Sequence, residues 1–168
     1  MNITLNTITN LLKQLQVIFK TKQVYLAGGS LAPHHTHDYD IVIISDWLYE
    51  EVFHEITNMC EVGIISEVNV YKAYGIGEEE DNKFHTKAVC NMNGVKVDLL
   101  FADSTYFPTI EDVMLEFPLS IQMQAMNSDG NIIKGKNFSL DPIKIYRTGC
   151  VKSCIEKYKT YYPNTEFI

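Results

Sequence analysis

A chain of 168 residues with 21 acidic and 14 basic side chains carries a net charge of −7 and shows no basic stripe of the kind that grips long DNA or RNA. Its length suits one domain with a sizeable core, and no apolar run approaches a membrane span. The N-terminus, MNITLNTITNLLKQLQVIFK, lacks the charged start, apolar core and cleavage site of a signal peptide, so a cytoplasmic location is expected.

Apolar residues at Leu5, Ile8, Leu11, Leu12, Leu15, Ile18 and Phe19 predict a helix over Ile3 to Phe19. Val24 to Ala27 is a short apolar strand that runs into Gly28-Gly29-Ser30. Asp40 to Ser45 is apolar on both faces, which predicts a central strand. Ser45 or Asp46 is the expected cap of a following helix that turns Trp47, Val52, Phe53 and Ile56 inward. Glu67 to Tyr74 alternates as a strand does, and residues 75–83 read as an acidic solvated loop.

Thr86 to Asn91 and Val95 to Phe101 flank Met92-Asn93-Gly94, and Asn-Gly between such runs predicts a hairpin. Pro108 marks the start of a short helix with Ile110, Val113 and Met114. Leu119 to Met126 alternates into the turn Ser128-Asp129-Gly130 and then Ile132-Ile133. A last amphipathic helix covers Cys150 to Tyr162, stopped by Pro163. Its Lys152, Lys157 and Lys159 read as a solvated face, and Tyr158, Tyr161 and Tyr162 as packing residues. Cys60, Cys90, Cys150 and Cys154 have no zinc spacing, so reduced, mostly buried thiols are expected. The order predicts a single α/β (α+β) domain over 1–168, with a mixed β-sheet flanked by helices.

Three features carry chemistry. Gly28 and Gly29 have no Cβ, so backbone N–H groups at this turn can approach phosphate oxygens, and Ser30 adds a hydroxyl. A helical turn beginning at Leu31 would help hold the anion. Asp38 and Asp40 are spaced i, i+2 at the head of a strand, so both project from one face. Two such carboxylates are unfavourable beside a core unless a cation compensates them, and Mg²⁺ (or Mn²⁺) suits hard oxygen ligands.

Asp98 interrupts the apolar run Val95 to Phe101 and lies on the face opposite Val97, Leu99 and Phe101, where it can meet Asp38 and Asp40. Asp103, just past that run, is the competing third carboxylate. In the plainer reading Asp38 and Asp40 are turn and strand-start residues. His34, His35 and His37 then belong to an exposed loop, whereas in the sharper reading His37 assists phosphate binding.

Gly-Gly-Ser, Asp-x-Asp and an aspartate in a later apolar strand together resemble the polymerase-beta-type nucleotidyltransferase superfamily. LAGGSL and DYDIVI resemble the catalytic heads of tRNA CCA-adding enzymes and bacterial poly(A) polymerases, and small stand-alone nucleotidyltransferases of bacteria and phages. The resemblance covers about residues 20–102, and leaves a C-terminal hairpin and helix over about 117–162 outside it. It implies a nucleotidyltransferase fold in which Gly28, Gly29 and Ser30 bind the triphosphate of an NTP. Asp38 and Asp40 would hold the nucleotide-bound metal, and Asp98 would join them at a second metal that activates the acceptor hydroxyl. The implied reaction transfers NMP to that hydroxyl and releases pyrophosphate. The acceptor is open: an RNA 3′ end, a protein side chain or a small molecule.

Three departures favour a weakly active or inactive nucleotide-binding or protein-interaction module of the same fold. Only Leu31 to His37 separate Ser30 from Asp38, shorter than in most relatives. Leu31-Ala32-Pro33 stands where CCA-adding heads carry an Arg-Asp pair, and no downstream helical RNA-binding domain follows.

Overall fold

The computed structural model describes residues 4–32, 38–72, 84–146 and 152–168. Helix α1 is Leu5–Ile18 and strand β1 is Val24–Ala27. A 3₁₀ turn, Gly28–Leu31, follows before strand β2, Tyr39–Ser45. Helix α2 spans Tyr49–Glu61, and strands β3, β4 and β5 span Ile65–Lys72, Phe84–Met92 and Val95–Asp103. Then come helix α3, Ile110–Met114, strands β6, Gln124–Met126, and β7, Ile132–Lys134, and helix α4, Lys152–Tyr161.

Among the described residues the strands form one seven-stranded sheet in the order β3-β4-β5-β2-β1-β6-β7. Neighbours are antiparallel except β2 and β5, which run parallel at the centre. The mixed α+β architecture is the expected one. β2 is central, as its two apolar faces require.

The alternation of β2 and β5 divides the core between the two sheet faces. Ile41, Ile43, Val97, Leu99 and Phe101 meet Leu11, Leu12 and Leu15 of α1 and Val52, Ile56 and Met59 of α2. Val42, Ile44, Leu100 and Ala102 project to the other face. They pack there against Phe107, Ile110, Val113, Met114 and Phe117. Asp40 and Asp98 belong to this second face, beyond the end of its apolar packing. A third cluster, Leu119, Ile121, Ile143 and Tyr158, fastens α4 to the segment that precedes β6.

The Asn93-Gly94 turn forms as expected, with φ of 53° and 79° that suit a tight hairpin. Gly94 N–H donates to Asn91 Oδ1 at 3.0 Å. Several local expectations are corrected. Neither Ser45 nor Asp46 caps α2: Ser45 is still in β2, opposite Asp103, and its Oγ accepts from Trp47 N. Leu48 is the cap position, and its N–H donates to Glu51 Oε2 at 2.7 Å.

Phe53 is exposed and stacks on Tyr49 rather than facing inward, and Met59 is buried in the core. β3 starts at Ile65, two residues earlier than expected, and a bulge between Ser66 and Asn69 accommodates Glu67 at φ 53°; the expected end at Ala73 and Tyr74 lies outside the described residues. α3 starts at Ile110, two residues after Pro108, and Thr109 caps it through N–H and Oγ1 bonds to Asp112 Oδ2 of 2.9 and 2.8 Å. Part of the expected strand Leu119–Met126 is a 3₁₀ turn over Ser120–Gln122. Cys60 is exposed while Cys90 is buried, and Cys150 lies outside the described residues, as do 75–83.

Candidate functional site

Parallel pairing of β2 with β5 sets Asp40 and Asp98 in register, Cα partner to Cα partner. Adjacent strands lie about 4.8 Å apart, so two carboxylates in register on one face are neighbours. The same register sets Asp103 opposite Ser45, at the far end of the pair. Asp103 Oδ1 there accepts from Thr105 N at 2.8 Å, as a turn residue does. Asp98, not Asp103, is the carboxylate that meets Asp40.

The glycine turn stands at the same end of the sheet. Ser30 Oγ accepts the backbone N–H of Asp40 at 2.8 Å, which ties the turn to the strand that carries the aspartate. A hydroxyl that accepts one bond still has a proton to donate. Gly28 has φ +64°, a region in which a side chain is strained. Gly29 is required for a different reason: a Cβ there would lie 2.7 Å from the Tyr158 hydroxyl oxygen. The helical turn expected at Leu31 begins at Gly28 and includes the glycines themselves. A pocket of about 200 Å³ opens between the turn and the sheet, lined by Gly28, Gly29, Asp40, Lys87, Leu100, Phe117 and Gln122, among others.

Charge is unevenly distributed over the aspartates. Lys87 Nζ is 2.9 Å from Asp98 Oδ2. The other oxygen, Asp98 Oδ1, is buried and has no hydrogen-bond partner among the described residues. Asp38 is one-third exposed, and its Oδ2 lies 3.4 Å from Lys96 Nζ. Burial, then the Asp98 carboxylate, pushes the Asp40 carboxyl up to about 7. Lys87 opposes that rise, Asp38 adds to it and Lys157 opposes it. Burial disfavours the charged form of Asp40, and a neighbouring carboxylate disfavours it further.

Gly28, Gly29, Ser30, Asp40 and Asp98 are thus brought together. Asp38 is close enough to act on Asp40 and is also paired with the exposed Lys96. Among the described residues no three His, Cys, Asp or Glu side chains converge as ligands for one metal ion. His37 lies outside the described residues. The bare Asp98 Oδ1 and the hard oxygen donors of Asp40 and Asp98 suit a divalent cation such as Mg²⁺ or Mn²⁺.

Lys87 and Gln122 line the pocket and were not singled out in the sequence, and Tyr158, expected to pack the last helix, also closes on Gly29. Lys87 was reachable: a two-residue turn at Asn93-Gly94 fixes the pairs Val89↔Asp98 and Lys87↔Leu100, which sets Lys87 diagonal to Asp98 on its face. Tyr158 carries no comparable signal, since only tertiary packing brings α4 to Gly29. Of the terminal tyrosines, Tyr158 is buried, Tyr162 stacks on it with ring centroids 6.4 Å apart, and Tyr161 is exposed.

No protein-family model matches the chain, and no curated protein does. The case for a class of protein therefore rests on Gly28-Gly29-Ser30, Asp38-x-Asp40 and Asp98 and on their geometry. No helix among the described residues is long and apolar enough to cross a membrane.

Proposed function

We propose that this protein is a metal-dependent nucleotidyltransferase that moves a nucleoside monophosphate from an NTP to a hydroxyl and releases pyrophosphate. One observation carries the reading: Asp40 and Asp98 are register partners on the two parallel central strands, and Asp40 lines one pocket with Gly28 and Gly29. The fold does not choose among acceptors.

Each residue has a task. Backbone N–H groups of Gly28 and Gly29 and the Ser30 hydroxyl bind the triphosphate. Asp40, with Asp38 when Lys96 releases it, and Asp98 hold Mg²⁺ or Mn²⁺. The metal supplies charge neutralisation for the phosphates and for the group being transferred. The acceptor oxygen attacks the α-phosphorus, the bond to the β-phosphate oxygen breaks, and pyrophosphate leaves with its electron pair. The acceptor proton would pass to Asp98, whose Oδ1 is buried and without a hydrogen-bond partner among the described residues. The net charge of −7 favours an RNA 3′ end, a protein side chain or a small molecule over a long duplex. The free thiols of Cys60, Cys90 and Cys154 fit the cytoplasm.

A second reading draws on the Asp38–Lys96 pair, which occupies a carboxylate that catalysis needs. In it, the protein binds nucleotide and metal without turnover. Incubation with each α-labelled NTP, Mg²⁺ or Mn²⁺ and a cell extract separates the two. Transferase activity leaves label on RNA, protein or a small molecule, and Asp38→Ala/Asp40→Ala abolishes it. Label transfer that survives the double substitution overturns the site assignment. Metal-dependent nucleotide binding without transfer supports the second reading.

A further inference from the structure

Lys87 stands outside every motif that suggests nucleotidyl transfer, yet it is in ion-pair contact with Asp98. It projects from β4 on the face that carries Asp98, and its Nζ lies 2.9 Å from Asp98 Oδ2. The side chain is only 19% exposed, so this pair is weakly screened compared with a surface bridge. Lys87 also lines the pocket together with Gly28, Gly29 and Asp40. One ammonium thus has the carboxylate pair on one side and the glycine turn within the same pocket.

The chemistry of lysine suits an exchange between them. Its charge is compact and sits on a flexible four-carbon stem, so it can leave one anion for a neighbouring one. A buried carboxylate pair requires a cation, and the ammonium supplies a single charge where a metal ion supplies two. An incoming divalent ion must displace it. The displaced ammonium is poorly placed unless another anion receives it, and a triphosphate on the glycine turn is such an anion.

We propose that Lys87 is the built-in counter-ion of the Asp40–Asp98 pair, which gives up Asp98 to a divalent cation and transfers its own charge to the triphosphate. The proposal rests on the nucleotidyl-transfer reading of the site. It makes the free site resist metal alone and accept metal together with phosphate. Metal loading is thereby coupled to nucleotide arrival.

The test measures Mn²⁺ binding to the full chain by electron paramagnetic resonance, with Mn²⁺ alone and with Mn²⁺ plus inorganic tripolyphosphate. Lys87→Gln is expected to bind Mn²⁺ alone roughly tenfold more tightly than wild type, since it removes a competing charge. The same variant is expected to bind the tripolyphosphate complex roughly tenfold more weakly, since it removes a phosphate partner. A misfolded variant would lose both, so opposite signs on one protein are diagnostic. No change, or the same sign in both arms, overturns the exchange while leaving the metal site standing.

Wild type that binds no Mn²⁺ even with tripolyphosphate present, or then binds it only as well as Asp40→Asn/Asp98→Asn does, overturns the metal-site reading and the exchange with it. A measurement on wild type alone covers the case of an unstable variant. Labelling of Lys87 by an amine reagent, mapped by mass spectrometry, is expected to rise with Mn²⁺ alone and fall again with tripolyphosphate. Labelling that ignores both overturns the proposal.

Discussion

Asp40 begins β2 with its N–H on Ser30 Oγ and its carboxyl beside Asp98. Burial and that neighbour lift it from 3.8 to about 7. The unfolded chain releases the proton at the ordinary value and the folded chain holds it longer. The native state therefore binds more protons between these two values, and stability falls as pH rises through that window. Stability linked to this group is fully present below pH 3.8 and lost above about 7. Asp40→Asn removes the ionisation and keeps the shape. We expect its melting temperature to exceed that of wild type by at least about 3 °C at about pH 8 and to match wild type near pH 3.5. Thermal unfolding in metal-free buffer followed by circular dichroism checks this; an unchanged difference across the range contradicts it. Such a gain on removing a carboxylate marks a site arranged for something other than stability.

Gly29 is where two elements meet, the glycine turn and α4. The sequence reading assigned its missing Cβ to phosphate approach, but the Tyr158 hydroxyl already requires it. Tyr158 is buried against Leu119, Ile121 and Ile143, so it has little room to retreat. Gly29→Ala is expected to destabilise the fold by about 1–3 kcal/mol through overpacking. Tyr158→Phe removes the clashing oxygen, so the pair Gly29→Ala/Tyr158→Phe is expected to recover about half of that loss. Urea unfolding of the four proteins in this cycle measures the coupling, and additive losses contradict the contact.

Legibility at this scale followed the range of the signal. The Asn93-Gly94 hairpin and the helical period of α1 are local patterns and were read directly. The start of α2 was misread because Ser45, a good cap in isolation, is held in β2 by its pairing with Asp103. Glu51, three residues beyond Leu48, was the available local sign. The contact between α4 and Gly29 spans most of the chain and has no local sign.

For the whole molecule, the parallel pair β2–β5 organises both the core and the site. It aligns apolar residues for packing on each face, and it leaves Asp40 and Asp98 side by side where that packing stops. The class of fold and the face that carries Asp98 were legible from strand alternation, whereas the parallel register that makes Asp40 and Asp98 partners was not. The placing of Lys87 beside Asp98 was within reach of the hairpin register, whereas the ion pairs that Lys87 and Lys96 make depend on side-chain reach as well as on period. The central claim is that Asp40 and Asp98 jointly hold a divalent ion against a triphosphate seated on Gly28–Ser30. A crystal structure with Mn²⁺ and an NTP analogue that cannot be cleaved between the α- and β-phosphates tests this most directly. The expected result is anomalous Mn²⁺ density bound by both Asp40 and Asp98, with phosphate oxygens on the glycine turn and Lys87 moved off Asp98. Nucleotide bound elsewhere, or Lys87 still paired with Asp98 and no Mn²⁺ between the carboxylates, would contradict it.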